Sequence, residues 1–175
     1  LIVVIDEAYY EFTDKSFAKL VLEHNNLIVL RTMSKWAGLA GLRIGYGFFN
    51  QDLVQQLLKI KQPYNVNSAA ELALIASLED VDYLMNNVDL IVKERSRMYS
   101  ALQVFKQDIK PLPSEGNYIL CESLKVASSK IVQGLVEKAI FVRQFSHPKL
   151  KNYFRISIGK PHHTDAIISA LKEIL

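Results

Sequence analysis

Two short, unbroken aliphatic runs constrain this chain more than any other feature, because each ends abruptly in polar residues. Residues 1–5, LIVVI, run into Asp6 and Glu7, and residues 27–30, LIVL, run into Arg31, Thr32 and Ser34. Neither run carries the regular polar positions of an amphipathic helix or a half-solvated strand. Each therefore reads as a strand buried on both faces, of the kind found inside a parallel sheet. Open α/β sheets gather their ligands at the carboxyl ends of such strands. Asp6 and the turn holding Thr32, Ser34 and Lys35 are thus predicted at one sheet edge.

That turn leads into a small-residue segment, LRTMSKWAGLAGLRIGYG at 30–47, with Gly38, Gly41, Gly45, Gly47 and a second cation, Arg43. The hydroxyls of Thr32 and Ser34, backbone N–H groups in the turn and the guanidinium fork of Arg43 could all meet a phosphate. The Lys35 amine, once deprotonated, can condense with an aldehyde to give a Schiff base. On the residues alone a plainer reading stays open. Lys35 could be a surface lysine beside a glycine-softened turn, and Asp6 a carboxylate that caps the next turn.

Further along, a short helix is expected at 17–24, strands at 27–31 and 43–49, and an amphipathic helix at 52–60 that ends before Pro63. Trp36 reads as an aromatic packed beneath the lysine turn. Tyr64 and Asn65 lie in a loop that is either near a site or a capping turn, and Ser68 reads as the N-cap of a helix at 69–78. A long helical pattern covers 81–106, with Glu94, Arg95 and Arg97 as a solvated face. A loop at 110–115, a strand at 117–122, a helix at 129–139, strands at 140–143 and 153–158, and a helix at 164–175 capped by Thr164 complete the chain. The expected organisation is an α/β portion over residues 1–79 and a small α+β domain over 80–175.

Composition narrows the function. With 21 basic and 18 acidic residues, the net charge of +3 is too balanced to argue for nucleic acid. No apolar stretch approaches the ~20 residues of a membrane span. The single cysteine, Cys121, sits in an apolar run and excludes an intramolecular disulfide, which suits the cytoplasm or a comparably reducing compartment. His162 and His163 are adjacent, so they point apart, and no metal site is expected.

DEAYYEF at 6–12, LRTMSKWAGLAGLRIGYG at 30–47, KQPYNVNS at 61–68 and YFRISIGKP at 153–161 together resemble histidinol-phosphate aminotransferase, a family of fold-type-I enzymes using pyridoxal 5′-phosphate. The resemblance runs the length of the chain. It implies part of the large cofactor domain, a mostly parallel sheet with helices, followed by the small C-terminal domain. It further implies that Lys35 carries the cofactor as a Schiff base, that Asp6 pairs with the protonated pyridine nitrogen and that Tyr9 hydrogen-bonds the phenolic oxygen. Ser34 and Arg43 would hold the phosphate, with Thr32 a further candidate. A homodimer with shared sites is also implied. These enzymes carry well over a hundred residues before the point matching residue 1, so the chain reads as the C-terminal half of a longer enzyme.

Arg155 stands in an alternating segment with Phe154, Ile156 and Ile158, so it shares a strand face with Tyr153 and Ser157. An inward arginine needs an anion, and a substrate carboxylate or phosphate would supply one. The resemblance gives Arg155 that task, and Arg143 is expected to join it on the substrate phosphate. The reaction implied is transamination between histidinol phosphate and 2-oxoglutarate. An aromatic amino-acid aminotransferase, a threonine-phosphate decarboxylase or a non-catalytic regulator binding the same cofactor are the alternatives.

Overall fold

A computed structural model of the chain describes residues 1–13 and 15–175. It divides into two compact units, Leu1–Val88 and Asp89–Leu175.

The first unit is built on three strands, β1 (Val3–Asp6), β2 (Leu27–Thr32) and β3 (Gly45–Phe48), in the order β1-β2-β3. β1 and β2 are parallel, with Ile5 opposite Val29 and Asp6 opposite Leu30. β3 returns antiparallel, placing Gly45 beside Thr32 and Tyr46 beside Arg31. Leu27, Ile28 and Val29 are buried, as a central strand of continuous aliphatic residues demands. The equivalent expectation for 1–5 is corrected. Among the described residues β1 pairs with β2 alone, and Ile2, Val3 and Val4 are exposed. Val21, Leu27 and Val29 form the core of this sheet, with Ile5, Ala18 and Phe48 packed against them.

Around the sheet the expected helix at 17–24 is a short 3-10 turn, Ala18–Leu22. The strand expected at 43–49 is shorter, because Arg43 adopts a left-handed conformation (φ 56°) and ends a single 3-10 turn instead. Helix α1 spans Gln51–Ile60, started by the Asn50 side chain accepting from the Asp52 N–H. Helix α2 spans Ser68–Glu79. Its cap is Asn67, not Ser68: the Asn67 side chain accepts from Ala70 N at 2.9 Å and donates to Leu42 O at 3.3 Å.

Helix α3, Val81–Leu102, runs through the division between the units. The second unit is a four-stranded antiparallel sheet of β4 (Ile109–Pro111), β5 (Tyr118–Ser123), β6 (Arg143–Gln144) and β7 (Tyr153–Ser157), ordered β4-β5-β7-β6. Helices α4 (Ser128–Glu137) and α5 (Pro161–Ile174) complete it. Alternation along the strands puts Ile119, Cys121, Phe154 and Ile156 into one core with Met98, Leu102, Ile131, Leu135 and Leu171. Burial pushes the Cys121 thiol up to about 12.

Three further expectations are corrected in this unit. The segment expected as a loop at 110–115 begins as strand β4, which pairs with β5. Thr164 is not the cap of the last helix: α5 begins at Pro161 after Lys160, and Thr164 is fully buried, donating its hydroxyl to Glu94. Glu94 is not on a solvated face either. It is buried, and Arg97 Nη2 reaches it at 2.8 Å while Nη1 meets Asp165 at 2.7 Å. Alternation of charges along a helix cannot reveal which of them turns toward a neighbouring helix.

Candidate active site

Asp6, Ala8, Leu30, Thr32, Ser34, Lys35, Ala40 and Arg43 line one cleft of about 350 Å³ in the first unit, and Arg31 contributes to its wall. Its floor is the carboxyl edge of the parallel pair, where β1 ends at Asp6 and β2 at Thr32. Because strand residues alternate, Asp6, Leu30 and Thr32 share one face, while Ile5 and Val29 point into the core beneath.

Each predicted residue of this group can be followed individually. Asp6 Oδ1 accepts the Ala8 N–H at 2.9 Å, so the carboxylate both caps the following turn and faces the cleft. Thr32 Oγ1 accepts from Ser34 N at 3.1 Å and donates to Ser34 Oγ at 2.8 Å, folding the two hydroxyls into one turn. Lys35, the next residue, is exposed on the cleft wall, with Nζ 6.0 Å from the centre of the Tyr9 ring. Tyr9 itself lies beside Phe12 at 6.3 Å between ring centres, after the turn that Asp6 begins. Arg43 reaches the cleft from its left-handed position, and Nη1 donates to Ala40 O at 2.8 Å.

The backbone explains the glycine at 45. A Cβ there would stand 2.6 Å from Arg31 O, so only glycine allows β3 to pair this closely beside the lysine turn. Trp36 is buried beneath the turn, as expected. Tyr64 is exposed, and Asn65 Oδ1 accepts from Lys61 Nζ at 2.8 Å within its own loop.

Arg31 and Glu7 escape the sequence reading. Glu7 is buried and accepts from Arg31 Nε at 3.0 Å, from Ser16 Oγ at 3.0 Å and from Phe17 N at 2.6 Å. No sequence pattern pairs them: only the register that sets Asp6 opposite Leu30 makes Glu7 and Arg31 the next pair along the two strands.

The two remaining site candidates lie in the second unit. Arg143 and Arg155 are register partners across β6 and β7. Leu120 stands opposite Arg155 on its other side, and the arginine packs 4.9 Å from the centre of the Tyr118 ring. Arg155 shares a strand face with Tyr153 and Ser157, as expected, while Phe154 and Ile156 take the core side. It is half-buried on the opposite face, with Nε buried and without a hydrogen-bond partner. Among the described residues no group of three His, Cys, Asp or Glu could hold a metal, and no helix is long and apolar enough to cross a membrane.

Comparison with known proteins gives one consistent result. The family described as Aminotransferase class I and II matches residues 1–172. A histidinol-phosphate aminotransferase of Dehalococcoides mccartyi is 46% identical over 171 residues, 98% of this chain and 48% of the relative. A chloroplastic histidinol-phosphate aminotransferase of Nicotiana tabacum is 43% identical over 174 residues, 98% of this chain and 42% of the relative. Among solved structures, the Sinorhizobium meliloti histidinol-phosphate aminotransferase in complex with pyridoxal-5′-phosphate superposes with a TM-score of 0.85 at 31% identity, covering 99% of this chain and 48% of that one. The chain thus spans about half the length of the curated relatives it matches.

Proposed function

The chain belongs to the class I and II aminotransferases, and from that premise we propose that the protein carrying it transfers the amino group of histidinol phosphate to 2-oxoglutarate. The products are imidazole-acetol phosphate and glutamate, and the cofactor is pyridoxal 5′-phosphate. The observation that carries this reading is the convergence of Asp6, Lys35, Ser34, Thr32 and Arg43 on one cleft.

The donor set fits the cofactor. A phosphorylated aromatic aldehyde needs an amine, a carboxylate for a protonated ring nitrogen, and hydroxyls with a cation for the phosphate. The cleft offers each type once or more, and its volume lies within the ~300–1,000 Å³ of small-molecule sites. When bound, the cofactor supplies an aldehyde and an electron-withdrawing ring. Asp6 would hold the proton at the ring nitrogen. Tyr9 would orient the ring through its phenolic oxygen. Ser34, Thr32 and Arg43 would fix the phosphate, anchoring the group while Lys35 is released. Lys35, freed, would take up and return the substrate's α-proton.

Arg155 and Arg143 would bind the anionic end of the substrate, since two guanidinium groups side by side suit a phosphate. Residues 1–79 would then form part of the cofactor domain and residues 80–175 the small domain. A homodimer in a cytoplasmic or plastid compartment completes the reading. Glutamate formation from histidinol phosphate and 2-oxoglutarate by the complete polypeptide tests it, with phenylalanine and threonine phosphate as rival donors. Preference for either rival, or no turnover with any donor, would replace it.

A further inference from the structure

Main-chain pairing between β1 and β2 ends where Glu7 N donates to Leu30 O at 2.8 Å. From there the two strands diverge, one toward Tyr9 and the other toward Lys35. Glu7 and Arg31 sit at that fork, on the face continued from Ile5 and Val29. Their side chains are therefore on the opposite side of the sheet from those of Asp6 and Thr32, while Arg31 still borders the cleft.

The Arg31 guanidinium is held from several directions. Nε binds Glu7 at 3.0 Å, Nη2 donates to Ser16 Oγ at 2.8 Å, and the plane lies 3.5 Å from the centre of the Tyr10 ring. Phe48 of β3 flanks it at 5.1 Å, and Tyr46 is its register partner. Both ends of the ion pair are almost completely buried, with side-chain exposures of 10% and 5%. Glu7 accepts three hydrogen bonds, which replace the water its carboxylate loses on burial.

We infer that Arg31 is a positioning residue: clamped by Glu7 below the cleft floor, it fixes the separation of Asp6 and Lys35. Asp6 is bonded directly to Glu7, Tyr9 to the Tyr10 on which Arg31 stacks, and Thr32 to Arg31 itself. A shift of the brace moves Asp6, Tyr9 and Thr32 together. A hydrophobic pair could fill the same volume, but it would set no angle between the diverging chains, whereas a fork held on one edge by a carboxylate does.

The inference rests on the cofactor reading above, and the experiment separates the two. In the complete polypeptide with pyridoxal 5′-phosphate, borohydride should trap an adduct at Lys35. If the unsubstituted protein gives none, the cofactor reading falls and this inference falls with it. Given that adduct, Arg31→Lys and Glu7→Gln should each weaken the visible circular-dichroism band of the bound cofactor. Each should also lower kcat about tenfold to a hundredfold with KM for the amino donor nearly unchanged, the size expected for misplacement of about 1 Å. The double variant should be no worse than the weaker single one, because the two act as a unit. A merely structural pair would lower Tm and leave both the band and kcat as they were, and that result overturns the inference. Glu7→Gln keeps the side-chain shape and decides the matter where Arg31→Lys does not fold.

Discussion

Arg143 and Arg155 face each other directly across the antiparallel pair of β6 and β7. Like charges in this relationship destabilise a sheet unless an anion lies between them. Arg155 already leaves a buried Nε without a partner. Inorganic phosphate should therefore raise Tm, and Arg143→Gln or Arg155→Gln should reduce that increase by half or more. Arg155→Lys should raise KM for a phosphorylated donor about tenfold, since a point charge replaces a fork. An unchanged KM would mean that this pair serves no anion.

Among the described residues Lys35 is the only lysine on the cleft wall. Lys35→Ala should abolish the borohydride-trapped adduct with pyridoxal 5′-phosphate, as read by mass spectrometry of the peptide holding residue 35. Labelling that persists elsewhere at full strength would remove Lys35 from its role.

Asp6 presents a carboxylate to the cleft while one of its oxygens caps the turn at Ala8. Asp6→Asn preserves that cap, because an amide oxygen accepts equally well. Turnover should fall about a hundredfold or more, through loss of a charge-assisted contact, while cofactor affinity changes far less. A near-normal rate would show that no charge is needed at this position.

Glu94 links α3 to α5 through Thr164 and holds Arg97 of its own helix, which meets Asp165 of α5. The hydrogen bonds from Arg97, against the opposing effect of burial, hold its carboxyl below the ordinary value of 4.5. A carboxyl lowered in the folded state stabilises fully above its unfolded value, and that contribution is lost as the pH falls through the folded one. Glu94→Gln should thus cost roughly 1–3 kcal/mol near neutral pH. The deficit should shrink below pH 4.5. Denaturant unfolding at pH 7 and in the acid range measures both; an equal deficit at both would assign the effect to packing.

Ala139 follows α4 with φ 58°, a left-handed conformation that costs a residue with a Cβ. Ala139→Gly should stabilise the protein by about 0.5–1 kcal/mol. An unaltered unfolding midpoint would show that the position carries no strain.

Much of this protein is legible in its residues because the relevant signals are local. A continuous aliphatic run marks β2, alternation marks β7, and the order of strand and helix patterns points to an α/β portion followed by an α+β unit. The cleft residues could also be named from sequence, since a strand that ends in Asp6 or Thr32 brings its next residues to the sheet edge whatever else the chain does. Caps and element ends are less well determined. Asn67 rather than Ser68 starts α2, and Thr164 turns inward rather than capping α5, because neighbouring hydroxyl and amide residues compete for the same backbone groups.

Tertiary structure alone decided which charges are buried and against what. Glu7 with Arg31, and Glu94 with Thr164, are partners from separate elements that no helical or strand period brings together. The facing of Arg143 and Arg155 likewise depends on the register of two strands joined by a loop. Periodicity determines which side of its own element a residue occupies; only packing determines what stands on the other side, and for a charged group that neighbour sets its energy.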